Sequence, residues 1–285
     1  MNNNHSSAPA ALITGASSGI GLELARKLLQ EGWQVAALVR SDLPADDPLL
    51  RAKALEGQLR VYKADLADFS SLRAALAEIK HKETKLDALF NNAGGSFPQL
   101  LYSKQGRELH YELQTVVPYI ILQELKPLLL AGARRTVVNT SSNVVVMVKA
   151  FDPATLAQPT SFKKLFGPYA TTKLALSLWT EAIAPQLAAE GITVVSADPG
   201  GNNTLRKGNS SGLPVIVRAM MKLIFPPPGV GAARLFDAGF GEQRGRPGEL
   251  LIKGKPTKLK FGQQGQRVLQ LVDTIYRETY KDAKA

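Results

Sequence analysis

Short apolar runs alternate with amphipathic stretches along most of this chain, and that alternation constrains the fold more than any other feature. The runs are Ala11–Ile13, Val35–Val39, Leu59–Tyr62, Leu86–Phe90, Thr136–Val138, Ile192–Ser196 and Leu250–Ile252. Between them lie the amphipathic stretches Ile20–Gln30, Ser70–Lys80, Tyr119–Leu130 and Tyr169–Ala188. Strands this short and this apolar are buried on both faces, and the helices between them act as crossovers. The pattern predicts an α/β fold: a single-domain, doubly wound parallel sheet of about seven strands with helices on both faces. With no linker and no internal repeat, residues 10–285 read as one domain behind a flexible N-terminal tail, residues 1–9.

Two segments stand outside the alternation. Val144–Gly167 is long for a strand-to-helix connection, and Thr204–Pro228 holds a helix-like stretch, Val215–Ile224, before Pro226-Pro227-Pro228. Both leave the carboxyl edge of the sheet, where open α/β sheets bind ligands, and they are read as the walls and lid of a pocket. Val215, Ile216, Ala219, Met220 and Leu223 share one helical face. If that face lines the pocket, the substrate is mostly apolar.

Composition removes several classes of function. The absence of cysteine excludes disulfides, thiolate metal sites and cysteine nucleophiles. His5, His81 and His110 are scattered, so no metal site is expected. Met1–Pro9 lacks the regions of a secretory signal, and no apolar stretch approaches the roughly 18 residues of a membrane span. A cytoplasmic location is expected. The net charge of +11 attracts anions, and it is densest at Lys253, Lys255, Lys258 and Lys260, with only Phe261 beside them. Without a stripe of aromatic platforms no nucleic acid is expected. The lysines read as a solvated face, with membrane-surface contact the lesser alternative.

The first strand runs into Thr14-Gly15-Ala16-Ser17-Ser18-Gly19-Ile20-Gly21, and a helix follows at once. Glycines there permit a tight turn and let a pyrophosphate approach the N–H groups of the helix end. Gly15, Ser17, Ser18, Gly19, Ile20 and Gly21 are therefore candidate dinucleotide contacts. The second strand ends in Val39-Arg40, a guanidinium where a carboxylate would hold the ribose hydroxyls of NAD. Arginine suits a 2′-phosphate, so NADP (NADPH) is expected ahead of NAD, and Asp42 just beyond the strand argues the other way.

Further marks follow in order: Asp65-Leu66, Asn91-Asn92-Ala93-Gly94, Ser141-Ser142, Tyr169-Ala170-Thr171-Thr172-Lys173, Pro199-Gly200 and Thr204. With the glycine turn they resemble the short-chain dehydrogenase/reductase family, whose pattern is TGxxxGxG, NNAG, Ser, YxxxK and PGxxxT. The resemblance covers about residues 10–255. The long Ser-to-Tyr segment and the ending Gly248-Glu249-Leu250-Leu251-Ile252 are most similar to the retinol-dehydrogenase-like branch.

The resemblance implies a Rossmann-type sheet and a cofactor held by Asp65, Leu66, Asn92, Ala93, Gly94, Tyr169, Lys173, Pro199, Gly200 and Thr204 as well. It implies a catalytic set of Ser142, Tyr169 and Lys173. Tyr169 would give or take the proton, the Lys173 ammonium would bring the phenol's pKa down from about 10, and Ser142 would hold the substrate oxygen. Ser141 is the lesser candidate of the serine pair. Gln114 falls where the family carries an asparagine that positions a water relay to the lysine, and it is a fourth catalytic candidate through a modified relay. A second YxxxK match, Tyr280/Lys284, is read as part of a frayed C-terminal tail without function. The function implied is NADP-dependent interconversion of a small-molecule carbonyl and an alcohol by hydride transfer. The alternative is an NADP(H)-binding sensor or regulatory protein with the same fold and no turnover. Homo-oligomerisation stays open.

Overall fold

The computed structural model describes residues 8–201, 226–242 and 244–281. Thr204, the expected lid Val215–Ile224, Lys284 and residues 1–7 of the expected tail lie outside the described residues. The strands are β1 (Ala10–Thr14), β2 (Gln34–Val39), β3 (Leu59–Lys63), β4 (Ala88–Asn91), β5 (Thr136–Thr140), β6 (Thr193–Asp198), β7 (Leu250–Ile252) and β8 (Lys255–Thr257). They form one sheet in the order β3-β2-β1-β4-β5-β6-β7-β8. The first seven pair in parallel, and β8 runs antiparallel to β7. The order turns back between β1 and β4, so a crevice opens at their carboxyl ends.

The described strands fit the expected sheet of about seven, with β8 added at its edge. Lys255-Pro256-Thr257 has no apolar run to announce it. It pairs because Lys253 and Gly254 both take positive φ, 53° and 74°, and fold the chain back on β7 with Lys255 opposite Ile252. Pro256 is tolerated there because β8 is an edge strand.

The helices are α1 (Gly19–Gln30), α2 (Pro48–Leu55), α3 (Phe69–Lys82), α4 (Leu109–Tyr111), α5 (Val117–Ala131), α6 (Pro168–Ala189), α7 (Pro228–Phe240) and α8 (Gly265–Thr274). Alternation along β1 sends Leu12 into one core and Ala11 and Ile13 into the other. The Leu12 core is closed by α3, α5 and α6. The Ile13 core is closed by α1 and α7, with Trp33 packed edge-on against Phe240 at 5.1 Å between ring centroids. No helix among the described residues is long and apolar enough to cross a membrane.

The C-terminal segment differs from the expected frayed tail. Val268, Val272, Tyr276 and Tyr280, spaced by four, are all buried along α8 and the π-turns that continue it to Lys281. Tyr280 meets Phe69 edge-on at 5.4 Å, and its carbonyl accepts from Arg73 at 2.5 Å. This ladder packs α8 against α6.

Val144–Gly167 is also not the wall that was expected. It folds into 3-10 turns at Asn143–Met147 and Pro153–Thr155, and Val144, Val145, Val148 and Leu156 are buried in the core. At the opposite, amino-terminal edge of the sheet, buried Asp87 accepts the N–H groups of Ala10, Ala133 and Arg134. Desolvation pushes its carboxyl up, but those three donors and the Lys85 charge outweigh it and hold it below the ordinary carboxylate range.

Candidate active site

A cavity of about 770 Å³ lies along the carboxyl ends of the strands. One wall is the turn after β1. Gly15 (φ +72°) and Gly19 (φ +58°) take backbone angles that L side chains rarely adopt, and they set α1 with its N–H groups facing the cavity. A Cβ on Gly15 would stand 2.9 Å from the Ala93 Cα, and one on Gly21 would stand 2.5 Å from the Asn92 Nδ2. The turn is therefore closed by contact between the β1 and β4 ends. Thr14, which the motif reading passed over, is the bracket: its Oγ1 accepts the N–H groups of Asn92 and Ala93, both at 2.9 Å. Asn92 Nδ2 donates to the Thr14 carbonyl at 3.0 Å.

Ser17, Ser18, Ile20, Arg40, Asp65, Leu66, Ala93, Gly94, Pro199 and Gly200 line the same cavity. Asp65 Oδ1 accepts the Ala67 N–H at 3.0 Å and fixes the turn after β3. Arg40 is exposed at the end of β2. Asp42, the counter-argument to NADP, does not line the cavity; its exposed carboxylate meets Lys63 at 2.5 Å.

Ser142, Tyr169 and Lys173 converge on the cavity from the end of β5 and the first turn of α6. Ser142 lies beside Tyr169, near enough for its hydroxyl to favour the phenolate. Ser141 turns away, its hydroxyl 2.7 Å from that of Ser177 inside the core. Lys173 Nζ donates to the Thr140 carbonyl at 2.5 Å. The expected lowering of the tyrosine pKa is not observed. Burial pushes the Tyr169 phenol up, the Ser142 hydroxyl opposes this, and the Asp198 charge adds to it. Lys173 is itself pushed down to about 7 by desolvation, against the pull of Asp198, so it holds its charge weakly.

Asp198 is a cavity residue that the motif reading missed. It ends β6 and is buried, with Oδ1 accepting the Gly200 N–H at 3.0 Å and Oδ2 without a partner among the described residues. Its signal was available as the acidic residue immediately before Pro199-Gly200.

Gln114 lies in a π-turn, Glu112–Val116, and its Nε2 donates to the Gly95 carbonyl at 3.1 Å. Its side chain packs so close to Gly94 (φ +152°) that a Cβ there would meet the Gln114 Cγ at 2.9 Å. The amide thus lies against the loop that follows β4. That loop, with Gly95, Ser96, Phe97, Tyr102, Ser103 and Lys104, supplies the wall expected from Val144–Gly167.

The geometry fits a dinucleotide at the glycine turn, because its two closest approaches leave no room for a Cβ and its helix end faces open space. The comparisons with known proteins agree. A family profile described as short chain dehydrogenase matches residues 9–211. Mouse retinol dehydrogenase 12 is 32% identical over 197 residues, covering 66% of this chain and 60% of that protein. A short-chain dehydrogenase/reductase of the fungus Armillaria gallica is 28% identical over 249 residues, covering 85% and 80%. The short-chain dehydrogenase/reductase iacJ of Pestalotiopsis fici is 36% identical over 129 residues, covering 43% of this chain and 40% of that one. The chain thus spans less than two thirds of the iacJ and mouse proteins. Among solved structures, the Pseudomonas aeruginosa RhlG/NADP complex superposes with a TM-score of 0.66 at 24% identity, over 88% of this chain and 97% of that one. L-sorbose reductase from Gluconobacter frateurii, complexed with NADPH and L-sorbose, gives 0.62 at 20% identity, over 86% and 95%. The chain belongs to the short-chain dehydrogenase/reductase family, with retinol dehydrogenases among its relatives.

Proposed function

We propose that this protein is an NADP-dependent oxidoreductase that interconverts a carbonyl and an alcohol on a mostly apolar small molecule. The observation that carries the reading is the meeting of Ser142, Tyr169 and Lys173 in the cavity that also holds the glycine turn. When bound, the nicotinamide supplies or accepts the hydride. The chain's own residues handle position and proton. Ser142, which lines the cavity beside Tyr169, orients the substrate oxygen. Tyr169 gives that oxygen its proton in reduction, or takes it back in oxidation. Lys173 in its protonated form stabilises the phenolate left behind, and Asp198 helps it keep the proton. Phe97, Leu109 and Leu113 on the cavity wall favour an apolar substrate.

Gly15, Ser17, Ser18, Gly19, Ile20 and Gly21 would hold the pyrophosphate side, Asp65 and Leu66 the adenine side, and Asn92, Ala93, Gly94, Pro199 and Gly200 the rest. Arg40 carries the preference for NADP. Arg40 lines the cavity at the end of β2, while Asp42, just past the strand, is engaged with Lys63. The NADP and NADPH complexes among the structural neighbours point the same way. Fluorescence titration with NADPH and with NADH tests this. NADPH binding at least tenfold tighter is expected; equal binding, or tighter NADH, refutes the cofactor assignment.

A further inference from the structure

A buried titratable pair that the chemistry above leaves unused stands against Tyr169. His110 and Glu108 are both buried. His110 Nε2 accepts the Phe97 N–H at 3.0 Å, which places the ring proton on Nδ1, 2.5 Å from Glu108 Oε1. The other Glu108 oxygen accepts the Tyr111 N–H at 2.8 Å, so the carboxylate is held from both sides. The imidazole meets the Tyr169 ring edge-on at 5.9 Å and tilts against the Phe97 ring at 4.7 Å. Gln114, one helical turn further along, grips Gly95. Two side chains from one helical segment therefore hold the cavity loop Gly95–Phe97 by its backbone.

We propose that Glu108 and His110 form a positioning pair that sets the Gly95–Phe97 loop and the Tyr169 ring, and that it works only with a neutral imidazole. A proton on Nε2 would oppose the Phe97 N–H, and the loop would lose its anchor. Among the described residues, the ionisable groups in contact with His110 are Glu108 on its own turn and Tyr169 from α6. The Arg107–Glu112 pair on the same segment is closed on itself at 2.5 Å. The Gly95–Phe97 loop offers only backbone and the Phe97 ring, and Ala157 meets the Glu108 N–H through its carbonyl. The inference rests on Tyr169 as the proton donor.

Two measurements test it. By NMR, His110 is expected as the Nδ1–H tautomer, with slow exchange of the Phe97 amide that speeds at least about tenfold as the imidazole protonates. In His110→Gln, whose amide oxygen still accepts from Phe97, exchange stays slow through the same pH range. The opposite tautomer, or Phe97 exchange indifferent to His110 titration, overturns the proposal. With NADPH and decanal as probe, His110→Phe is expected to lower kcat about 10- to 100-fold with the KM for NADPH within twofold, and His110→Gln to recover most of the loss. A native kcat in His110→Phe while Tyr169→Phe is inactive overturns the positioning role. Native activity in Tyr169→Phe overturns the underlying chemistry instead. Should His110→Phe not fold, Glu108→Gln carries the test: the Nδ1–H tautomer loses its acceptor carboxylate, so Phe97 amide exchange is expected to speed at fixed pH, and unchanged exchange overturns the pair.

Discussion

Replacing Lys173 with methionine separates the electrostatics of the site from its chemistry. The Lys173 ammonium is buried and pushed down from 10.5 to about 7 by desolvation. Holding that charge below pH 7 costs the fold about 5 kcal/mol relative to a solvated lysine. Methionine removes this cost and also removes the hydrogen bond to the Thr140 carbonyl, a loss of about 1–3 kcal/mol. Lys173→Met is therefore expected to be more stable than the native protein at pH 6, by about 2–4 kcal/mol. The folded pKa lies below the unfolded one, so between about 7 and 10.5 the unfolded chain binds more protons. Native stability climbs through that window by about 1.4 kcal/mol per pH unit relative to the variant. Urea unfolding of both proteins without cofactor, at pH 6, 7, 8 and 9, reads the difference. The advantage of the variant should narrow steadily above pH 7. A difference independent of pH, or a variant less stable at pH 6, would refute the reasoning.

Three further outcomes are expected. Arg40→Ala should weaken NADPH binding by about 10- to 100-fold and leave NADH binding within twofold, as the loss of one charge-assisted phosphate contact requires; calorimetric titration checks it. Gly21→Ala forces a methyl against the Asn92 Nδ2, so the turn must open; the melting temperature should fall, and NADPH affinity should drop at least about tenfold. Asp87→Ala removes the acceptor of the buried Ala10 N–H and of the part-buried Ala133 and Arg134 N–H groups, and should cost about 2–3 kcal/mol at neutral pH by urea unfolding. Because the Asp87 carboxyl is held low in the folded state, its contribution is present above the unfolded pKa and lost as pH falls through the folded one. The penalty of the variant should therefore shrink in acid.

The parts of the fold that were legible before the structure are those in which local pattern and tertiary role coincide. Strands buried on both faces announce themselves by unbroken apolar runs, and Gly15 and Gly19 sit where only a positive φ closes the turn. β8 escaped because Lys255-Pro256-Thr257 owes its pairing to the turn before it and to β7, neither of which shows as hydrophobic periodicity. The ladder Val268, Val272, Tyr276 and Tyr280 was visible as a spacing of four, and reading Tyr280 as part of a frayed tail overlooked that α6 needed covering. The hold of Gln114 on Gly95 was not legible, because the two residues are nineteen apart and only the fold joins them. The pairing of His110 with Glu108 was written as residues two apart. Its meaning depended on Phe97, thirteen residues earlier and brought back only by the fold.

The central claim is that Tyr169 moves the proton in a carbonyl–alcohol interconversion driven by NADP. The most direct test follows the absorbance of NADPH with a panel of apolar aldehydes and ketones, for the native protein and for Tyr169→Phe, alongside NADPH affinity for each. The account predicts turnover by the native protein, a loss of about 10²- to 10⁴-fold in the variant, and NADPH affinity within about twofold of native. Turnover undiminished in Tyr169→Phe, or a native protein that binds NADPH tightly and reduces no member of the panel, would contradict it.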